Sequence, residues 1–193
     1  MSNTWMLLSY ENYKRLSANI NENSASAYSY GCAMIYFDMP EISDLHGKID
    51  VPDIYTEDGD NTYGLEDEPH ITLLYGIHSD EIKDDDVLTI LEQFKDKIKS
   101  IKLTKVTKFD NPKYEVLKFD VDADILHDIN AKLCEDLPFT SDYPEYHPHL
   151  TIAYVKPKMA QKYIERFEGM SFELAPTKFV YSKPDGEKII HPI

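Results

Sequence analysis

The sequence of 193 residues contains only two cysteines, Cys32 and Cys134, which are too few for a disulfide framework. No metal-ligand spacing surrounds either cysteine, so we expect two buried thiols, no metal and no cofactor. No apolar run reaches the length of a transmembrane helix, and the N-terminus lacks the basic and apolar regions of a signal peptide. These absences predict a cytoplasmic protein without membrane contact.

Positive charge is also scarce, with 20 lysines and arginines against 35 acids and a formal net charge of −15. This balance argues against tight binding of long nucleic acid, which requires many basic contacts to phosphates, but it permits a small nucleotide in a pocket. Eleven acids and one base lie between Asp38 and Glu68, whereas seven bases and five acids follow from Lys156 onward. The C-terminal third is therefore predicted to supply the phosphate-binding side.

A seven-residue pattern occurs twice, as Pro69-His70-Ile71-Thr72-Leu73-Leu74-Tyr75 and as Pro148-His149-Leu150-Thr151-Ile152-Ala153-Tyr154. The Pro, His, Thr and Tyr are identical and every other position is apolar. Each copy is typical of a buried strand that begins after a proline. Strict alternation would place His70, Thr72 and Leu74 on one face, and likewise His149, Thr151 and Ala153. Tyr75 and Tyr154 are then expected on the opposite faces, under helices.

Two strands that each carry a histidine and a threonine on one face predict a groove with two imidazoles. Histidine suits both proton acceptance and proton donation, because its unperturbed pKa lies near 6.5. The threonine hydroxyls could donate hydrogen bonds to phosphate oxygens. The alternative is a duplicated strand whose histidines only satisfy carbonyls of the core.

The two His-x-Thr motifs resemble the signature of the 2H phosphoesterase superfamily, and the similarity extends from about residue 32 to about residue 182. The resemblance implies an α+β, bilobal fold, with two antiparallel sheets and flanking helices related by a pseudo-twofold axis around a central groove. It also implies metal-independent phosphodiester cleavage, in which His70 and His149 are the general acid and base and Thr72 and Thr151 assist. Which histidine is the base stays open at this point.

The chain order fits one bilobal domain over residues 1–193, with an N-terminal helix and loop over residues 1–31. Helices are predicted at about 9–20, 84–99, 124–136 and 158–168. Strands are predicted at 32–39, 101–109, 114–121, 171–174, 177–182 and 188–190, besides the two motifs. The acidic insertion at residues 40–66 has no clear period and is interpreted as a lid over the groove or, equally well, as a solvated excursion.

Three further residues are candidates for substrate binding. Tyr36 could stack on a base, with core packing as the alternative. Lys156 and Lys178 could add positive potential near phosphates, as could Lys183, or each could be an ordinary surface lysine. His147 is interpreted as a rim residue, and the remaining histidines as surface or structural residues.

Within the superfamily, the small acidic chain resembles phage phosphodiesterases that destroy cyclic dinucleotide or trinucleotide immune messengers, known as anti-CBASS enzymes. The expected partner is a small nucleotide or cyclic oligonucleotide, bound by a monomer in the cytoplasm, which would be the host cytoplasm if a phage encodes it. The alternatives are a phosphodiesterase for 2′,5′-oligoadenylate or RNA 2′,3′-cyclic phosphates, a non-catalytic nucleotide sponge, and a metal site on His147 and His149.

Overall fold

A computed structural model describes residues 29–60, 62–141 and 145–193. The strands are β1 (Tyr30–Phe37), β2 (His70–His78), β3 (Ile101–Asp110), β4 (Glu115–Asp122), β5 (His149–Val155), β6 (Phe172–Leu174), β7 (Pro176–Ser182) and β8 (Lys188–Pro192). The helices are α1 (Glu41–His46), α2 (Asp84–Glu92), α3 (Asp124–Asp136) and α4 (Ala160–Arg166), with 3₁₀ turns at Val51–Asp53 and Lys95–Lys97. The predicted helix at 9–20 lies outside the described residues.

The strands form two antiparallel sheets of four strands each, which confirms the predicted α+β architecture. The first sheet has the order β2-β1-β7-β8 and the second has the order β5-β4-β3-β6. One hydrophobic core joins one face of each sheet to the four helices. The opposite faces carry only small separate apolar clusters, and we call them the groove faces. Each His-x-Thr strand is the edge strand of its sheet, and β2 contacts β5.

The two sheets repeat one unit, a strand, a helix, a His-x-Thr strand and a second helix. In the first unit these are β1, α1, β2 and α2, and in the second they are β4, α3, β5 and α4. The helix before each His-x-Thr strand packs on the other sheet, because α1 contacts β5 and α3 contacts β2. The third strand of each sheet also comes from outside its own unit, since β3 follows α2 and β7 follows the second unit. The two lobes are therefore interlaced.

The three predicted helices that fall within the described residues were correct in place, but those predicted at 84–99 and 158–168 were too long. α3 has the predicted bounds, whereas α2 ends at Glu92 and is followed by a 3₁₀ turn at Lys95–Lys97. Phe94 and Ile98 are buried on either side of that turn, which brings the chain down onto the core before β3 begins. The shorter helices reflect tertiary packing, which overrides the helix propensity of the lysine-rich segment.

The acidic segment before β2 is more ordered than its sequence suggests. It contains α1, whose Ile42 and Leu45 are buried, and it then runs along the free edge of β5. The amides of Tyr55 and Glu66 donate to the carbonyls of Tyr154 and Ile152 at 2.9 and 3.0 Å. The segment thus covers a strand edge that would otherwise present unpaired backbone groups.

The segment before β5 covers the free edge of β2, on the other side of the groove. The amide of Thr140 donates to the carbonyl of Gly76 at 2.9 Å, and the Tyr146 hydroxyl donates to the carbonyl of Thr72 at 2.8 Å. Gly76 has φ of +84° and touches the Thr140 backbone where a Cβ would lie, so only glycine fits there. Each approach segment therefore covers the edge of the opposite His-x-Thr strand.

Strict alternation along the His-x-Thr strands was wrong, because each strand contains a β-bulge after its threonine. The register places Thr72 opposite Met34 and Leu74 opposite Ala33, so Leu73 is the extra residue. In β5 the extra residue is Ile152. The bulge moves Leu74 and Ala153 into the core and turns Tyr75 and Tyr154 to the groove faces. A bulge shifts every later side chain by one position, which the sequence alone does not show.

Candidate active site

The two histidines of the repeated motif have the same local geometry. Nδ1–H of His70 donates to the carbonyl of Glu68 at 2.8 Å, and Nδ1–H of His149 donates to the carbonyl of His147 at 2.9 Å. Because a carbonyl only accepts, Nδ1 carries the hydrogen in both rings, which leaves Nε2 as the exchangeable nitrogen. The prolines at positions 69 and 148 hold the preceding residues extended, so each carbonyl lies beside its ring.

His149 is half-buried and is held at the first strand position of the second sheet. Its ring meets the ring of Phe109 edge to face, with centroids 4.9 Å apart. Burial lowers the pKa of His149 to about 4, against a smaller opposing effect of the His147 carbonyl, and the charges of Lys118 and His70 lower it further. His149 is consequently a neutral imidazole near neutral pH. The strands that carry the two histidines, β2 and β5, contact each other, so both rings border one groove.

His70 lies against an aromatic ring of the neighbouring strand. Tyr36 is directly opposite His70 in the β1–β2 register, and their rings stack at 5.2 Å with an interplanar angle of 23°. The ammonium groups of Lys178 and Lys188 lie 4.9 and 5.5 Å from the centroid of Tyr36. Lys188 also pairs with the Glu68 carboxylate at 2.6 Å. The first half of the groove therefore has two cations close to its histidine.

Tyr36 is only 5% exposed, so its ring presents little surface to a nucleotide base. Burial raises the pKa of Tyr36 to about 12, and its hydroxyl therefore stays protonated. Between the two interpretations of this residue, the geometry favours packing, here against His70. Lys178 lies beside the Tyr36–His70 pair, and its role toward a phosphate stays a prediction.

The other two lysines singled out from the sequence lie away from the histidines. Lys156 follows β5, seven residues and thus about 20 Å along the strand from His149, and its ammonium binds the carbonyl of Pro52. Lys183 pairs with Asp84 and Glu187 at 3.3 and 2.8 Å. Proximity in sequence to the second motif was a poor guide for Lys156, because an extended strand carries its far end out of the groove.

The threonines occupy matching positions on the groove faces. Thr72 lies opposite Met34 and Thr151 lies opposite Lys118, each two residues after its histidine. Thr151 is 6% exposed, whereas Thr72 is half-buried.

Lys118 was not singled out from the sequence, although a lysine within the apolar strand at residues 114–121 was a usable signal. Its side chain is buried on the groove face of the second sheet. Burial lowers the pKa of Lys118, which is opposed by its hydrogen bond to Asp120. The ammonium donates to Asp120 and, at 2.7 Å, to Thr107, and it lies 4.2 Å from the centroid of Phe109.

Aromatic residues close the far end of the second groove face. Tyr55 and Tyr63 of the acidic segment pack on Tyr114 and Tyr154, with ring centroids between 4.9 and 5.6 Å apart. The segment over residues 40–66 thereby borders the groove, and its movement as a lid stays a prediction.

A cavity of about 300 Å³ opens at the end of β1, and none of the motif histidines and threonines lines it. Its lining includes Tyr36, Asp38, Glu68 and Lys178, together with apolar side chains of β1 and α1. No cluster of three or more His, Cys, Asp or Glu side chains that could hold a metal ion occurs within residues 29–60, 62–141 and 145–193. None of the helices in this part of the chain is long and apolar enough to span a membrane.

Comparison with known proteins gives a family and a fold. The family model of the 2′-5′ RNA ligase superfamily matches residues 42–181. The fold is similar to that of Kluyveromyces marxianus Usb1 with uridine monophosphate, with a TM-score of 0.55 and 9% identity over 85% of this chain and 98% of that chain. A second structure of Kluyveromyces marxianus Usb1 has a TM-score of 0.51 and 8% identity over the same shares. E. coli LigT complexed with 3′-AMP has a TM-score of 0.45 and 13% identity over 85% and 95%. Curated protein sequences give no significant match.

Proposed function

The chain belongs to the 2′-5′ RNA ligase superfamily of 2H phosphoesterases, and from that premise we propose that it cleaves phosphodiester bonds in small ribonucleotides. The observation that carries this proposal is the matched pair of histidines. Each ring is fixed through Nδ1–H by a carbonyl two residues earlier, so each presents Nε2 for proton transfer. A structural role would not require two rings held in the same tautomer in one groove.

The environments of the two rings support different roles for them. His149 is the proton acceptor, because burial keeps its imidazole neutral near neutral pH. His70, which stacks on Tyr36 in the other half of the groove, is then the partner that donates the proton.

The attacking group is the substrate's own hydroxyl next to the phosphorus. His149 Nε2 takes the proton of a ribose 2′-hydroxyl while that oxygen forms a bond to phosphorus, and the bond from phosphorus to the 5′-oxygen breaks. His70 Nε2 gives its proton to the leaving 5′-oxygen, so the products are a 2′,3′-cyclic phosphate and a free 5′-hydroxyl. Thr72 and Thr151 donate to the non-bridging oxygens, and Lys178 and Lys188 attract the phosphate.

We further propose that the substrate is a cyclic dinucleotide or trinucleotide immune messenger. The protein would act as a monomer in the cytoplasm, which is the host cytoplasm if a phage encodes it. The net charge of −15 disfavours long nucleic acid, whereas the lysines beside His70 favour a compact anion. The cavity between β1, β7 and the residues before β2 lies at the lower end of the size range of small-molecule pockets. Nucleotides are also present in structures with this fold, such as the uridine monophosphate of Usb1.

The family match favours a second candidate, cleavage of 2′,5′-linked oligoadenylate or of RNA 2′,3′-cyclic phosphates. For a 2′,5′ linkage the attacking group would be the 3′-hydroxyl, and the two histidines would keep their roles. A non-catalytic sponge would bind the same nucleotides and release them intact.

The test is product analysis by mass spectrometry with cyclic dinucleotides, cyclic trinucleotides, 2′,5′-oligoadenylate and 2′,3′-cyclic nucleotides. We expect cleavage of a cyclic ribonucleotide to a product with a 2′,3′-cyclic phosphate, and no cleavage by His149→Ala. A cyclic dinucleotide that lacks both 2′-hydroxyls should bind and remain intact. Rapid cleavage of that deoxy compound would show that water attacks directly. Recovery of every bound nucleotide intact would show that the protein is a non-catalytic nucleotide sponge.

A further inference from the structure

A buried lysine lies in the second half of the groove and has no counterpart in the first half. Lys118 is directly opposite Thr151 in the β4–β5 register, and Asp120 is directly opposite His149. The corresponding positions of the first sheet hold Met34, opposite Thr72, and Tyr36, opposite His70. The pseudo-twofold axis therefore relates two similar backbones that surround their histidines with different charges.

The contacts of Lys118 are made within the protein. Its ammonium donates to Thr107 and to Asp120, and its remaining side faces the ring of Phe109. Thr107 in turn donates to the same oxygen of Asp120 at 2.7 Å. The ammonium is thus fixed by partners on β3 and β4, and it does not need a substrate to hold it in place.

Phe109 connects this cation to the catalytic ring. The same phenyl group lies under the ammonium of Lys118 and meets His149 edge to face. The charged groups that act on His149 from the described elements are Lys118 and Asp120 of β4 and His70 of β2. Lys105 of β3 lies 3.9 Å from Asp120, but its side chain is 74% exposed.

We propose that Lys118, anchored by Asp120 and Thr107, is a positioning residue that keeps His149 as the proton acceptor of the pair. The inference rests on the proposed function, in which His149 takes the proton of the attacking hydroxyl. A fixed cation beside the ring disfavours a second positive charge on it, and a buried site screens that repulsion little. The first sheet has the uncharged Met34 at the equivalent position, opposite Thr72.

The test is an NMR titration of the His149 ring in the intact protein, which does not depend on activity. Lys118→Met installs the residue of the first sheet and removes the buried cation, while Asp120 keeps its hydrogen bond from Thr107. We expect the midpoint of His149 to rise by at least ~1 pH unit, which is a tenfold change in its protonation equilibrium. The acidic limb of the kcat/KM profile should move by the same amount, with little change on the alkaline limb.

Three variants separate this role from a structural one. Lys118→Arg keeps the charge and should leave the midpoint near that of the wild type. Asp120→Asn keeps the cation and should lower the midpoint, which preserves the test if Lys118→Met does not fold. Lys105→Met, a matched control, removes an exposed lysine near the same carboxylate and should change nothing. A His149 midpoint within about 0.3 unit of wild type in Lys118→Met, or a uniform loss of rate at every pH, would overturn the proposal.

Discussion

The depressed pKa of His149 makes a quantitative prediction about stability, which we test with His149→Gln. The folded state keeps His149 neutral down to about pH 4, whereas the unfolded chain takes up a proton near pH 6.5. Above pH 6.5 the ring is neutral in both states and its contribution does not change. As the pH falls from 6.5 toward 4, only the unfolded state gains the proton, so the free energy of unfolding decreases.

The expected magnitude follows from proton linkage. Between pH 7 and pH 5 the two pKa values correspond to a loss of about 2 kcal/mol from this one ring. The His149→Gln variant lacks that contribution, so the wild type should lose about 2 kcal/mol more than the variant over the same interval. All other titrating groups are common to both proteins and cancel in the difference.

The measurement is urea unfolding at both pH values, followed by far-UV circular dichroism and extrapolated linearly to water. His147→Gln is the matched control, because it removes an exposed imidazole from the same approach to β5. Equal losses in the wild type and in His149→Gln, within about 0.5 kcal/mol, would refute the reasoning, since the ring would then titrate alike in both states.

Three other predictions concern catalysis and the interlaced edges. His70→Ala and His149→Ala should each lower turnover by ~10²–10⁴-fold while the fold survives. Thr72→Ala and Thr151→Ala should lower turnover less. Near-normal turnover in either folded histidine variant would exclude the two-histidine mechanism. Activity should follow a bell-shaped pH profile and persist in EDTA, and a loss with chelator that zinc or manganese restores would favour metal chemistry instead. Asn130→Ala removes the 2.7 Å hydrogen bond from the Asn130 Nδ2 to the carbonyl of Leu73. Urea unfolding should show a destabilisation of about 1–3 kcal/mol. An unchanged unfolding midpoint would mean that the carbonyl of Leu73 finds another donor.

The sequence was sufficient for the repeated motif and for most of the elements, because these depend on local signals, whereas the two-sheet architecture was expected from the family resemblance. Apolar residues and the prolines at 69 and 148 marked the two strands, and the acidic start of α2 marked that helix. Those features act within a few residues, so they can be read without knowing what packs against them.

The side-chain directions after each threonine could not be predicted, because the bulges at Leu73 and Ile152 arise from partners far away in sequence. The carbonyl of Leu73 is bound by Asn130, and that of Ile152 is bound by His46 Nε2 at 3.0 Å. Lys118 was missed for a related reason. A lysine in a strand is ordinarily exposed, and only the partners Asp120 and Thr107 make its burial acceptable.

The crossing of the two approach segments has a consequence for how the chain could be divided. Tyr55 and Glu66 belong to the first half and complete the edge of β5, while Pro138, Thr140 and Tyr146 belong to the second half and complete the edge of β2. The arrangement is that of two copies that exchange arms and are joined into one polypeptide. If either half were produced alone, its approach segment would have no strand to pair with. Its histidine-bearing strand would expose an unpaired edge, and such an edge pairs readily with other polypeptide chains. The edge of each histidine-bearing strand is thus completed by residues of the other half.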